Sequence, residues 1–372
     1  MPRRILIERR ELTYAGGLVL HTATSGAVPV LRELRLLAER DSGLEAVGAS
    51  RTNIAYLSGI AAEVVEEAVL EVAAGLDWSA PWEALLPGID ARHPDLPAPA
   101  RMLFEMAAAD ARARQAGLPL WRWLGGEGGA ETPPTDTNQT LFWQDETAML
   151  ARAGEYAARG FLQLKLRIGI AGFEEDLARF RRLRERLGPA ARLSVDANGC
   201  WDASSAPEHL RALAALGAEY VEQPLPASDW AAAADLARGS PVPLMLDESL
   251  SSPAAIARMA REGTAQLAHL KLAKLGGLDR MMTAGRLLGA AGIGVMVGQM
   301  NEGVVSTLAA AHAAIALGAP LRELYGSDGL RQDPALPAPS YGDGLLHLPQ
   351  GPGLGIAHHK AGPDILWETT AP

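Results

Sequence analysis

The chain has 372 residues, a formal net charge of −10 and an ordinary mix of hydrophobic (48%) and charged (21%) residues. This composition is typical of a globular protein, and its negative charge argues against non-specific binding of nucleic acid. Cys200 is the single cysteine, which excludes an internal disulfide, and the apolar runs are short for a membrane span, so we predict a cytoplasmic protein with no membrane partner.

The first part of the chain predicts an α+β domain. The segments ILIERRELTY (5–14) and GLEAVGAS (43–50) are typical of the two strands of a hairpin. Helical spacing of apolar residues predicts helices over Ala61–Ala74 and Ala98–Ala116. The Gly/Pro-rich stretch Gly125–Pro134 is typical of a joint between domains, so we place the end of the first domain near residue 128.

From about residue 135 the pattern changes to alternating strands and helices. Eight apolar segments are separated by helical stretches such as Glu146–Ala158: TDTNQTLF, LQLKLRI, RLSVDAN, EYVEQP, PLMLDES, AHLKLAK, GVMVGQM and RELYG. This alternation predicts a parallel barrel over residues 129–340, with its site at the carboxyl ends of the strands. An open doubly wound sheet is the alternative, but the chain lacks the glycine fingerprint of a dinucleotide site. Residues 341–372 are expected to pack back on the first domain.

Three neighbouring strands of this predicted barrel end in an acid: Asp196, Glu222 and Asp247. Consecutive acids are one strand–helix unit apart, so their carboxylates are expected at one height. One such acid often caps the following helix, but three in register would repel each other unless a cation neutralised them. A hard divalent ion with oxygen ligands is the natural occupant, so we predict a Mg²⁺ site that Mn²⁺ can also fill.

Cations are predicted on both sides of these acids. Lys165 and Arg167 lie two residues apart on the second strand and therefore point the same way. Two cations on one face of an apolar strand need an anion opposite them. Lys271 ends the sixth strand. A lysine beside a metal is suited to removing the proton next to a carboxylate, while the metal stabilises the enediolate.

These motifs together resemble the enolase superfamily. The resemblance to its muconate-lactonizing-enzyme subgroup, which is mandelate racemase-like and includes the dipeptide epimerases, rests on the following segments: GFLQLKLRIG, VDANG, VEQP, LDES, KLAKLGG, GQMNEG, TLAAAHAAIALG, ELYG and PQGPGLGI. It implies a modified (β/α)7β-type TIM barrel with an N-terminal α+β capping domain that the C-terminal segment completes. It also implies Mg²⁺ on Asp196, Glu222 and Asp247, with Lys271 as base.

The chain departs from the subgroup at Arg167. The subgroup has a Lys-x-Lys motif whose second lysine is the opposing acid/base, and here Lys165 holds the first lysine's place and Arg167 the second. Arginine has a pKa of about 12.5 or more, whereas a base should lie near 7. Arg167 is therefore better suited to a bidentate grip on a carboxylate. A two-residue slip of the strand, which would bring Lys165 to this place, stays open.

One competent lysine favours a one-base reaction. We therefore expect a Mg²⁺-dependent, dehydratase-like lyase or a cycloisomerase acting on a small organic acid. Two alternatives remain: a racemase or epimerase of an amino-acid derivative or dipeptide, and a non-catalytic carboxylate-binding homologue. Relatives commonly assemble, so a homo-oligomer is expected.

Further residues are expected to support the ligands or contact the substrate. Asn198 and Glu248 lie beside predicted metal ligands. Glu302 and Glu323 match acidic positions of the family at the ends of the seventh and eighth strands, where they are expected to face the substrate or to orient the lysines. The loops 13–26 and 49–59 are expected to close over the barrel mouth. The candidate substrate contacts in the second loop are Arg51, Asn53 and Tyr56.

Overall fold

The cap forms the first part of the molecule. A computed structural model of the protein describes residues 3–372. The elements of the cap are, in chain order, β1 (Arg3–Tyr14), β2 (Leu20–Thr22), β3 (Gly26–Val28), β4 (Leu31–Arg40), β5 (Gly43–Arg51), α1 (Ala55–Ser58), α2 (Ala62–Gly75), α3 (Trp82–Arg92), α4 (Ala98–Gln115) and α5 (Leu120–Trp123). The helices predicted from periodicity correspond to α2 and α4.

The sheet of the cap corrects the predicted hairpin. Strand β4 lies between β1 and β5 and pairs antiparallel with both, so the hairpin is β4–β5. The sequence of β4, LRELRLLAER, has charges at half of its positions and is not recognisable as a buried strand. Its Glu33 and Arg35 are nevertheless fully buried, because they pair with each other at 3.0 Å and Arg35 also pairs with Asp333 at 2.7 Å.

The barrel follows the cap. Its elements, after the short strand β6 (Thr135–Asp136), are β7 (Gln139–Leu141), α6 (Glu146–Ala158), β8 (Gln163–Arg167), α7 (Phe173–Leu187), β9 (Arg192–Asp196), α8 (Ala206–Ala215), β10 (Ala218–Glu222), α9 (Trp230–Gly239), β11 (Leu244–Leu246), α10 (Pro253–Glu262), β12 (Leu267–Lys271), α11 (Leu272–Leu275), α12 (Leu278–Ala290), β13 (Gly294–Gly298), α13 (Val304–Leu317) and β14 (Leu321–Glu323).

Strands β7 to β14 form one parallel sheet in sequential order. The two edges meet where the amide of Asn138 donates to the carbonyl of Arg322 at 3.0 Å, so the sheet is a nearly closed barrel. This confirms the predicted fold class and excludes an open doubly wound sheet.

The strand register decides which side chains share a level. Arg167 pairs with Asp196, and Asp196 pairs in turn with Glu222. Lys165 pairs with Ser194 one level deeper in the barrel. The two-residue slip that the sequence left open is therefore excluded, and Arg167 holds the upper position.

The C-terminal segment returns to the cap, as predicted. The remaining strands are β15 (Leu330–Arg331), β16 (Ala335–Leu336), β17 (Ser340–Gly342), β18 (Leu345–His347), β19 (His358–His359) and β20 (Ile365–Ala371). Strand β20 pairs with β1 and completes the cap sheet, while β18 pairs with β6. The domain boundaries at 128 and 340 stay a prediction.

Helices of the described part of the chain, residues 3–372, are all too short or too polar to cross a membrane. Residence in the cytoplasm and assembly into a homo-oligomer stay predictions.

Gly48 allows β5 and α4 to pack closely. A Cβ atom at this position would overlap the carbonyl oxygen of Leu103 and lie 3.1 Å from Ala107 Cβ. We predict that Gly48→Ala lowers the free energy of unfolding by about 1–3 kcal/mol, as overpacking typically does. Urea unfolding measures it, with Gly75→Ala, where a Cβ meets nothing within 4 Å, as the control. Equal stability of the two variants would contradict this packing.

Candidate active site

A cavity lies between the cap and the carboxyl ends of the barrel strands. It encloses about 480 Å³, including space open to solvent. The barrel residues that line it are Phe142, Arg167, Asn198, Asp247, Glu248, Lys271, Gln299, Met300 and Asn301. The cap contributes Leu20, Thr22, Thr24, Ser25, Tyr56 and Leu57, which lie in the two loops expected to close over the barrel.

The three predicted metal ligands are buried at the strand ends. Asp196 and Glu222 end β9 and β10, and Asp247 directly follows β11. One oxygen of Asp196 pairs with Arg167, and the other accepts a hydrogen bond from the backbone amide of Asn198 at 2.9 Å. Ligand atoms of Glu222, Asp247 and His269 lie within 4.8 Å of one another. Among the described residues, this group contains two of the predicted ligands, and Asp196 lies outside it.

Three lysines surround these acids. Lys165 is fully buried between Glu222, at 2.6 Å, and Glu323. Lys271 and Lys274 both bind the carboxylate of Asp247, and the Lys274–Asp247 distance is 2.6 Å. The whole sequence contains only four lysines, so this site holds three of them in a chain that otherwise uses arginine as its cation.

Two cations face each other across the cavity. Arg167 lines it from the second barrel strand and Lys271 from the sixth, which are opposite walls of an eight-stranded barrel. Besides its pair with Asp196, Arg167 lies 3.6 Å from Glu323. Lys165 is absent from the lining, and within residues 3–372 Lys271 is the one lysine that reaches the cavity.

Asn198 and Glu248 form a polar pair at the cavity wall. The side-chain amide nitrogen of Asn198 donates a hydrogen bond to Glu248 Oε1 at 2.9 Å. Among the described residues, Asn198 Oδ1 and Glu248 Oε2 have no hydrogen-bond partner although they are buried. Asn198 has a φ of 46°, which is uncommon for a residue other than glycine. The pair therefore presents two free oxygens beside the predicted metal ligands.

The charges of the site shift one another's pKa values. Burial opposes ionisation of Glu222 and Asp247, but the lysines outweigh it and hold the pKa of both acids well below their ordinary values. Burial likewise opposes the charge on Lys271, yet Asp247 and Glu222 raise its pKa above the ordinary value. The pKa of Lys274 is lowered instead, chiefly by burial.

Other predicted contacts lie outside the cavity lining. Arg51 is fully buried and donates to the carbonyls of Met300 and Asn301, so it braces the cap against the barrel loop. The side chain of Asn53 bonds Arg51 and backbone groups within the cap. The polar atoms of Arg51 and Asn53 are thus already engaged, and their contact with a substrate stays a prediction, whereas Tyr56 does line the cavity.

Glu302 and Glu323 are both buried, and neither lines the cavity. Glu323 pairs with Lys165 and lies near Arg167, so it orients the cations of the second strand. Glu302 accepts a hydrogen bond from the amide of Met300 at 3.2 Å. Of the two roles predicted for these acids, substrate contact or orientation of cations, the geometry favours orientation for Glu323.

Two residues of the site, His269 and Gln223, were missed in the sequence. His269 lies 2.7 Å from Glu222. Gln223 accepts from the amides of Asp247, at 2.9 Å, and Ser249, at 3.2 Å, and thereby fixes the loop after β11. Strand alternation could have identified His269, which shares a face with Lys271.

The donors at the mouth of the barrel fit a hard divalent cation. Oxygen is the ligand that Mg²⁺ prefers, and the carboxylates lie at the ends of three adjacent strands. Ammonium and guanidinium groups now neutralise these oxygens. The unpartnered buried oxygens of Asn198 and Glu248 add further acceptors beside them.

Comparison with known proteins identifies the relatives of the chain. Residues 148–361 match the family model described as Enolase C-terminal domain-like. Over 267 residues the chain is 32% identical to the L-Ala-D/L-Glu epimerase of Bacillus subtilis (strain 168), covering 69% of this chain and 70% of the epimerase. Over 255 residues it is 33% identical to muconate cycloisomerase 1 of Pseudomonas putida, covering 68% and 67%.

The fold is similar to that of a solved epimerase. The crystal structure of the dipeptide epimerase from Enterococcus faecalis V583, complexed with Mg and the dipeptide L-Leu-L-Tyr, superposes with a TM-score of 0.85. The identity is 26%, over 96% of this chain and 99% of that one. These comparisons confirm the family resemblance that the motifs indicate.

Glu302 provides a test of the buried electrostatics. Burial, with a contribution from Glu33, raises the pKa of Glu302 from 4.5 to about 7. Between these two pH values the folded protein keeps a proton on Glu302 that the unfolded chain releases. The free energy of unfolding therefore falls as pH rises. Glu302→Gln cannot titrate and loses this dependence.

We expect the free energy of unfolding of Glu302→Gln, relative to wild type, to rise by about 3 kcal/mol between about pH 4 and 8. Urea unfolding at several pH values measures it. The exposed Glu127→Gln is the control, and parallel pH profiles of wild type and Glu302→Gln would contradict the prediction.

Proposed function

The chain belongs to the enolase superfamily, and on that premise we propose that it removes the proton next to the carboxylate of a small organic acid in a Mg²⁺-dependent reaction. We infer a one-base lyase or cycloisomerase. The observation that carries this proposal is the composition of the cavity wall, where one lysine, Lys271, faces one arginine, Arg167.

Asp196, Glu222 and Asp247 are the residues proposed to hold the metal. When bound, Mg²⁺ would supply positive charge for the substrate carboxylate and for the enediolate that develops from it. The charge of the site supports this occupant. With every group ionised, five acids (Asp196, Glu222, Asp247, Glu248 and Glu323) exceed four cations (Lys165, Arg167, Lys271 and Lys274) by one charge. Excess negative charge at a buried site favours a bound cation.

Lys271 is the proposed base. Its ammonium group reaches the cavity, and Asp247 now holds its proton in place. With Asp247 engaged as a metal ligand, its carboxylate would raise the pKa of Lys271 less, and burial would favour the neutral amine that a base requires. Lys274, on the same carboxylate, is bound to two backbone carbonyls as well, so it is fixed as a structural cation.

Arg167 is proposed to grip the substrate carboxylate. Its guanidinium lines the cavity, and its pKa is raised further because Glu323 and other acids outweigh the effect of burial. A group that holds its proton so strongly serves as a fixed donor with a planar fork. The charge on Arg167 would then keep the substrate oriented toward Lys271.

An epimerase of amino-acid derivatives or dipeptides is the second candidate, because the similar proteins include an L-Ala-D/L-Glu epimerase and a dipeptide epimerase. This candidate needs a second proton carrier on the face opposite Lys271. Lys165 is poorly suited to that part, since Glu222 and Glu323 hold it below the cavity.

A panel of carboxylates tests the proposal. Proton NMR in deuterated buffer with Mg²⁺ would follow sugar acids, hydroxy amino acids, dipeptides and aromatic-derived acids. We expect loss of the α-proton from one stereoisomer of one class, with an eliminated or cyclised product. Exchange in both stereoisomers would support the epimerase, and Mg²⁺ binding without any exchange would indicate a non-catalytic homologue.

Lys271→Ala should abolish exchange of the α-proton while leaving Mg²⁺ binding intact, because it removes the base and keeps all three proposed ligands. Calorimetry and proton NMR measure the two properties. Lys360→Ala, the exposed fourth lysine of the chain, is the control. Retained exchange in folded Lys271→Ala would remove this lysine from the mechanism.

Arg167→Lys should fold and gain slow α-proton exchange in the second stereoisomer, because a lysine at this position can carry a proton. Arg167→Ala is the matched variant, and it should raise KM by weakening the grip on the carboxylate. The same exchange pattern in wild type and Arg167→Lys would contradict the role assigned to this residue.

A further inference from the structure

His269 is a buried residue of the barrel interior whose part in the site remains to be assigned. It lies two positions before Lys271 on β12 and points to the same side. The ring is fully buried, and its Nδ1 atom lies 2.7 Å from Glu222 Oε1 and 3.8 Å from Asp247 Oδ2. The imidazole therefore contacts the proposed metal ligands from below the cavity.

The contacts fix the protonation of the ring. A carboxylate oxygen accepts a hydrogen bond, so Nδ1 must carry the proton that it shares with Glu222. Within the described residues Nε2 is buried and has no partner. A proton there would leave a buried donor unsatisfied, which is costly. His269 is therefore the neutral tautomer protonated at Nδ1.

The ring has little freedom to turn away. Gly298, on the neighbouring strand β13, leaves the space that the ring occupies, because a Cβ atom there would overlap His269 Nε2. The carbonyl of His269 also accepts from Lys274 Nζ at 2.8 Å. The direction of the ring is thus set by packing against Gly298 on one side and by the hydrogen bond from Nδ1 to Glu222 on the other.

We propose that His269 is a positioning residue of the metal site, which holds Glu222 in the orientation that a divalent ion needs. Glu222 then receives one donor on each oxygen, His269 on Oε1 and Lys165 on Oε2 at 2.6 Å. Donors of this kind behind a ligand fix its direction, and their loss typically costs 10–100-fold in metal affinity. This inference rests on the proposed function, since it presumes that Glu222 is a ligand.

Metal affinity tests the inference independently of turnover. Mg²⁺ binding is measured by calorimetry and Mn²⁺ binding by electron paramagnetic resonance on the full chain. We expect His269→Leu to raise both dissociation constants by about 10–100-fold. His269→Gln, which retains an N–H donor, should recover most of the loss. His312→Leu is the control, because His312 is equally buried and contacts Trp121 instead.

The outcomes separate this inference from the proposed function. Unchanged dissociation constants in folded His269→Leu would overturn the positioning role and leave the metal site standing. Nitrogen coupling to Mn²⁺ in the wild type that His269→Leu abolishes would also overturn it, because the ring would then be a ligand. If wild type binds neither ion, the proposed function fails as well. His269→Phe keeps the ring shape without the donor and carries the same expectation should the leucine variant not fold.

Discussion

Charge balance at the mouth of the barrel is the constraint on which the rest of the site depends. Acids from adjacent strand ends are buried together, and each is paired with a cation: Asp196 with Arg167, Glu222 with Lys165, and Asp247 with Lys271 and Lys274. Buried charges of one sign are tolerated only when such partners compensate them. A divalent ion would compete for the same oxygens, so metal binding and the freedom of the cations are coupled.

This coupling explains why the lysines differ in their surroundings. Lys165 is enclosed by two acids and serves the structure, whereas Lys271 has one carboxylate partner and an open side toward the cavity. Arg167 has the same access but keeps its proton. The geometry therefore supports chemistry on one face of a substrate, and the cap loops with Tyr56 and Leu57 close the remaining side.

The sequence revealed the barrel and its acids because both follow local rules. Strand–helix alternation and acids one unit apart are visible without coordinates, and β9 and β10 indeed align Asp196 with Glu222. Contacts between distant segments left no such pattern. Strand β4 was missed because its buried Arg35 pairs with Asp333, almost 300 residues away, as well as with Glu33. The bonds of Arg51 to the barrel loop were not predicted because nothing local indicates them.

A crystal structure of the protein grown with Mn²⁺ tests the central claim most directly, since the anomalous signal locates the ion. The account predicts one ion per chain, bound by oxygens of Asp196, Glu222 and Asp247, with Arg167 and Lys271 moved off Asp196 and Asp247. An ion elsewhere, or a barrel mouth in which Asp196 keeps Arg167 and Asp247 keeps Lys271 at saturating Mn²⁺, would contradict it.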